Sequence, residues 1–204
     1  MPPLRPYSAR EASHCRYTIR TMTLPRLAAV LALSAFSLFA ADEAPNMRQN
    51  YDRELSNTER EVVGLVEAMP ADKFGFAPTN GNFTGVRTFG TQAKHIAFIM
   101  NTVAASVLGE TMPPAKDDNG PADMTKKEDI VKYLKDAFAH AHKAVGTLTN
   151  ANLAQPVPDP FDPKGKSTRV ESIGLIVFHT YDHYGQMVVY LRMNGIIPPA
   201  SRPR

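Results

Sequence analysis

The chain has 204 residues, enough for one domain, with 43% apolar and 21% charged residues, one cysteine and a formal charge of +3. That charge belongs to the head: residues 1 to 40 hold five arginines and one glutamate, so 23 basic and 20 acidic residues become 18 and 19, or −1, beyond it. The remainder lacks the clustered Lys and Arg that a nucleic-acid binder needs, and with Cys15 in the head it has no thiol nucleophile and no disulfide.

The head reads Met22-Thr23-Leu24-Pro25-Arg26, then an apolar run from Leu27 to Ala41, then Asp42-Glu43. A basic start, a short apolar core and small residues before a polar stretch predict a signal peptide, with cleavage after Ala40. The run is shorter than the roughly 20 residues of a membrane-spanning helix, so no stable span is expected after processing. Residues 1 to 21 show no periodic pattern, and translation is expected to begin at Met22. The expected organisation is a leader over 1–40 and one domain over 41–204, exported to the periplasm or secreted.

Four segments then repeat apolar residues at the helical period. The first spans about 47–69, with Tyr51, Leu55, Val62, Leu65, Val66 and Met69 on one stripe, and Pro70 stops it. The second spans about 88–108, with Phe89, Ile96, Ile99, Met100, Val103 and Val107 inward, and Gly109 stops it. A third runs over about 125–148, with Ile130, Val131, Leu134, Phe138, Val145 and Leu148 inward. The fourth opens on Thr168-Arg169-Val170-Glu171, a capping-box pattern, and closes at Asn194-Gly195. No run alternates long enough to compete as a strand. The fold class is therefore all-α, a four-helix bundle.

The second and third connections are long. Residues 109–124 can reach the full length of a 20-residue helix, roughly 30 Å, so the third helix can start parallel to the second. Residues 150–167, rich in proline, are expected to rim a pocket.

Chemistry concentrates in the fourth helix. His179 and His183 are one turn apart on one face, a spacing that lets two imidazoles reach one metal ion. Gln186 and Tyr190 extend the stripe, and His95 supplies a third imidazole from the apolar second helix. Three histidines on two packed helices make a three-nitrogen site with an open coordination position. Two buried core histidines, hydrogen-bonded to neighbours, explain the pair equally simply. His140 and His142 share no helix face and are read as solvated. Asp182 points off the stripe as a surface charge. Gly185 in mid-helix asks for a reason, either close helix approach or mere tolerance. Tyr181, Tyr184 and Tyr190 are read as packing.

Together, the histidine in the second helix, His-x-x-x-His-x-Gly-Gln in the fourth and the long second connection resemble the DinB-like superfamily. Met69-Pro70-Ala71-Asp72-Lys73-Phe74, Phe76-Ala77-Pro78 and Arg87-Thr88-Phe89-Gly90 are similar to the family's passage between its first two helices. The resemblance covers about residues 47 to 201. It implies an up-down-down-up bundle whose divalent metal is held by residues matching His95, His179 and His183. It also implies, for some members, transfer of a low-molecular-weight thiol, although those relatives act in the cytoplasm and this chain carries an export signal. The expected function is metal-dependent hydrolysis or thiol transfer on a small molecule, with zinc the first choice and nickel, iron or cobalt compatible. Gln186 is expected to orient the bound group, and no general base is in evidence. The alternatives are a non-catalytic metal- or ligand-binding module of the cell envelope and a purely structural bundle. A homodimer is left open; nucleic acid is not an expected partner.

Overall fold

The structure is a computed structural model that describes residues 45–111, 113, 118–162 and 164–203. The expected leader, its cleavage point, Cys15 and the start at Met22 lie outside the described residues.

Helix α1 spans Met47–Ala68. A capping box that the sequence analysis did not identify opens it: Asn46 accepts from the Gln49 amide, and the Gln49 side chain accepts from the Asn46 amide. Leu55, Val62, Leu65 and Val66 are buried along it, as the stripe predicts. Met69 turns the chain into extended backbone ahead of Pro70 and a short 3₁₀ turn, Ala71–Lys73. Phe74 then stacks edge-on against Phe89 with ring centroids 5.4 Å apart, fixing the entry to the next helix.

Helix α2 spans Phe89–Leu108, opened by the Thr88 hydroxyl and closed by Gly109 at φ 70°. It is buried all round, with only Thr91, Asn101 and Leu108 more than marginally exposed. Such a helix lies at the centre of the fold rather than on its skin. Helix α3 spans Lys127–Gly146, two residues inside the expected limits at each end. Helix α4 spans Arg169–Met193 and opens on the expected Thr168–Glu171 capping box. The four helices confirm the all-α bundle.

Each of α1 and α2 packs on both α3 and α4. Ile130 approaches Gly90 and His140 bonds to Asn101 at 2.9 Å along the α2–α3 seam. Lys127 donates to the Met69 carbonyl at 2.7 Å and His142 meets Asp52 at 2.8 Å along the α1–α3 seam. Tyr51 lies beside Gly174 between α1 and α4, and Tyr190 reaches back to the Arg87 carbonyl at 3.1 Å between α4 and α2. One continuous apolar cluster fills the interior, from Leu55 and Val62 through Phe89, Val103 and Phe138 to Met187 and Leu191.

Among the described residues, the third connection holds the one departure from all-helical structure. Strands β1 (Pro156–Pro158) and β2 (Lys166–Thr168) pair antiparallel, with Val157 opposite Ser167. Three-residue strands are too short to show alternation, and two prolines in β1 hide it further. Asp159 closes the turn by accepting from the Phe161 and Asp162 amides. The Ser106 hydroxyl donates to the Pro158 carbonyl, so the hairpin lies against the C-terminal part of α2. No described helix is long and apolar enough to cross a membrane.

Candidate metal centre

Helix α2 brings His95 to α4 near its middle, where His179 and His183 stand one turn apart. The ring nitrogen Nε2 of His179 lies 3.1 Å from Nε2 of His95 and 3.1 Å from Nε2 of His183. All three rings offer a ligand atom within 4.8 Å of one another, so the group can hold a metal ion. Three nitrogens at about 2.1 Å from one tetrahedral ion would stand roughly 3.4 Å apart, close to this spacing.

The protonation states decide how well these rings tolerate each other without a cation. Burial lowers the pKa of His179 to about 3 and of His183 to about 4, reinforced by the neighbouring imidazoles, and burial also lowers that of His95. All three rings are therefore neutral at pH 7. His95 Nδ1 lies 2.6 Å from the Asp118 carbonyl, which only accepts, so the proton of His95 sits on Nδ1. Its Nε2 is then a bare lone pair aimed at His179. The single Nε2 of His179 faces two nitrogens and can donate one hydrogen at most. Only one of the two 3.1 Å contacts can therefore be a hydrogen bond, and the other leaves polar nitrogens pressed together without one, which is unfavourable in a buried site. A cation at the common point removes that conflict, so the residues present fit a divalent metal. One demand stays unmet: His183 Nδ1 is buried with no hydrogen-bond partner among the described residues.

What holds His95 in place comes from the second connection, not the third. Gly120 takes φ +76°, and a Cβ there would stand 3.0 Å from both the Cβ and the carbonyl oxygen of Lys94. Only glycine lets the loop press this close. The contact is fastened by Lys94, which is 8% exposed and donates from Nζ to the Pro121 carbonyl at 2.7 Å. Asp118 is anchored in turn by Arg87: Nη2 meets Asp118 Oδ1 at 2.7 Å, and Nε donates to Asn119 Oδ1 at 2.7 Å. An outer partner on the free ring nitrogen fixes a ligand's tautomer and orientation. Arg87, Asp118 and Gly120 were not singled out for the site from sequence. A backbone carbonyl has no residue signature, and only Gly120, in a loop long enough to cross the bundle, gave a hint.

The third connection does not rim the site. Its hairpin meets α2 at Ser106, eleven residues or about 16 Å along the helix from His95.

Gln186 differs from the expectation in its surroundings. It is exposed, and both ends of its amide are engaged: Nε2 donates to Asp182 Oδ2 at 3.0 Å, while Oε1 accepts from Gln92 Nε2 at 2.8 Å. Asp182 is exposed, as expected of a surface charge, and also accepts from the Gln186 amide. The buried residue of this pair is Gln92, 3% exposed, whose Oε1 has no partner among the described residues. Gly185 is exposed and a Cβ there would meet nothing within 4 Å, so no close helix approach explains it. Tyr190 is buried and its hydroxyl holds the Arg87 backbone. His140 and His142 are half-buried braces rather than solvated: His140 bonds Asn101 and Glu110, and His142 bonds Asp52 and Glu59.

Comparison with known proteins agrees with this architecture. No curated protein matches the chain. Among solved structures, a DinB-like protein from Bacillus cereus superposes with a TM-score of 0.59 at 16% identity, over 73% of this chain and 93% of that one. A conserved protein from Enterococcus faecalis gives 0.59 at 12% identity, covering 74% and 98% of the two chains. A DinB-like protein from Bacillus subtilis gives 0.52 at 17%, covering 76% and 99%. At these identities the likeness speaks for the fold. The sequence itself matches the family model of the DinB superfamily over residues 54–187, a span that runs from α1 into α4 and includes all three clustered histidines. By that match and that fold, the chain belongs to the DinB superfamily.

Proposed function

We propose that this is a divalent-metal protein that binds a small molecule at an open coordination position of a His95–His179–His183 site. The observation that carries the reading is the convergence of three neutral imidazoles, with the His95 tautomer set by the Asp118 carbonyl. Zinc is the first choice because three nitrogen ligands with one position free suit it. Bound there, such an ion would supply Lewis acidity to a substrate carbonyl or similar electrophile. The chain's own residues do the rest: Asp118 orients His95, Arg87 holds Asp118, and the Asp182–Gln186–Gln92 chain of hydrogen bonds fixes two amides beside the histidines. The cross-helix pairs support an up-down-down-up course, which lets α2 and α4 present these side chains to each other. We further place the processed protein in the periplasm or outside the cell, on the strength of the leader in residues 1–40.

Hydrolysis or thiol transfer on a small molecule is the enzymatic form of this reading. A second form, a non-catalytic metal- or ligand-binding module of the envelope, has one observation in its favour. Each of two carboxylates close to the histidines has one oxygen committed, Asp118 Oδ1 to Arg87 and Asp182 Oδ2 to Gln186, which disfavours either as a general base. Metal analysis of tag-free protein tests the common core: about one equivalent in the wild type and almost none in His183→Ala is expected. Absence of metal from the wild type under metal-replete conditions would sink it. Turnover on a panel of esters, amides and thiol-reactive electrophiles then separates the enzyme from the binding module.

A further inference from the structure

We infer that the exposed face of α4 is an interface between two copies of this chain, packed antiparallel with Phe178 of each copy seated on Gly185 of the other. The inference stands apart from the metal reading above and needs no ion bound.

The seam shows first in the spacing. Glu171, Phe178, Gly185 and Arg192 are all exposed and stand seven residues apart. They form one line along the helix that drifts by only about 20° per step. Helix α4 turns its other sides to α1 and α2, and this line is left to solvent. Phe178 is 64% exposed and Val189, on the same face, 50%. A ring left in water to that degree gains free energy from any apolar cover. Gly185 faces open space in its own chain, where it costs the helix about 1 kcal/mol relative to alanine. Against a second helix, the same open space becomes a seat for a large side chain.

What identifies the cover as a second copy is that the line complements itself when reversed. In an antiparallel pair related by a two-fold axis, setting Phe178 on Gly185 fixes every other facing pair. Glu171 then meets Arg192, and Val189 meets the half-buried Gly174. Bulk meets glycine and acid meets base, each twice by symmetry. The charges are available. Glu171 commits Oε2 to the start of α4, where the Ser167 hydroxyl donates at 2.9 Å, and its Oε1 has no partner among the described residues. Arg192 donates once within the chain, to Ser201 Oγ at 3.4 Å, and keeps the rest of its guanidinium. The one like-charge meeting is Asp182 with its own copy beside the axis, and Gln186 draws each carboxylate off the seam through a bond of 3.0 Å. A membrane surface or an unrelated protein would require no such match between the two halves of one helix.

Size sets the strength. The line from Glu171 to Arg192 is about 32 Å long, and a helix roughly 10 Å across covers about 300 Å² of it in projection. A standard interface takes about 800 Å² per partner. The pair is therefore weak and concentration-dependent, with a dissociation constant of about 10–100 µM. At the low micromolar concentrations of a melt the chain is a monomer.

Sedimentation velocity on the untagged protein between about 5 and 500 µM tests this. Wild type is expected to pass from the mass of one chain to that of two across that range. Gly185→Phe sets ring against ring, and Phe178→Ala leaves the glycine seat empty; each is expected to weaken self-association at least tenfold. An equimolar mixture of these two variants is expected to associate within about threefold of wild type, because every phenylalanine then faces a small residue. That recovery also shows that both variants are folded. Wild type remaining at one-chain mass to 500 µM would overturn the inference. A dimer that neither variant weakens would place the contact on another face and overturn it too. Failure of the mixture to associate, with wild type dimeric, would refute the register.

Discussion

Replacing Gly120 by alanine tests how the site is held. Two costs add. A side chain at φ +76° carries a left-handed penalty of about 1–2 kcal/mol. The new Cβ also stands 3.0 Å from the Lys94 carbonyl and the Lys94 Cβ, so the loop must retreat by a few tenths of an ångström. Retreat lengthens two contacts, Lys94 Nζ to the Pro121 carbonyl at 2.7 Å and His95 Nδ1 to the Asp118 carbonyl at 2.6 Å. Each is worth about 1 kcal/mol. The expected result is a loss of about 2–3 kcal/mol in unfolding free energy, and a metal affinity lowered about 10- to 100-fold as the outer partner of a ligand is displaced. Gly195→Ala is the matched control: φ is +71°, but a Cβ there meets nothing within 4 Å, so it pays the backbone strain and spares the histidines. Chelator-competition titrations with zinc give the affinities, and denaturant melts of the metal-free forms give the stabilities. If both variants bind zinc within about twofold of wild type, the loop does not position His95 and the reasoning fails.

Other outcomes follow from the same geometry. Gly185→Ala should stabilise the protein by up to about 1 kcal/mol and leave metal content unchanged, because the helical site is exposed and open; a fall in the melting temperature would contradict this. Thr168→Ala removes the hydroxyl of the α4 capping box and should cost about 1 kcal/mol in a denaturant melt, with zinc stoichiometry intact. Gln186→Ala strips the partner from the buried Gln92 amide and should destabilise by about 1–3 kcal/mol while the metal stays bound; loss of metal instead would make Gln186 a ligand. The metal-free protein should be acid-sensitive in a particular window. Unfolded histidines take up protons near pH 6.5, whereas His179 and His183 resist until about 3 and about 4, so stability is full above pH 6.5 and falls as pH drops below it. Melts between about pH 7.5 and 5.5, where ordinary carboxylates stay ionised, should show the decline, reduced when both histidines are replaced by alanine.

Much of the fold was readable because its boundaries have chemical causes local in sequence. Pro70, Thr88, Gly109 and the Thr168–Glu171 pair stop or start helices through their own backbone and side-chain bonds. The histidine pair on α4 was readable for a similar reason, since a four-residue spacing fixes a shared face. His95 needed the apolar helix around it as a second clue. What escaped reading depends on distant partners. The Asp118 carbonyl is backbone and could belong to any residue type. Arg87 looks like one more surface arginine until its fork is seen closed around Asp118 and Asn119. Gln186 lay on the predicted stripe, yet the stripe's centre passes through Thr180, His183 and Met187, leaving Gln186 at its margin beside Asp182. The hairpin was missed because two three-residue strands with two prolines carry no period to detect.

The hairpin's distance from the histidines has a practical reading. Its tip, residues 159–162 with 164 and 165, lies remote from His95 and presents Phe161 outward at 56% exposure. A fluorophore or a surface-attachment handle grafted there would report on or immobilise the protein without adding competing metal donors near the histidines, which a terminal polyhistidine tag does by its nature.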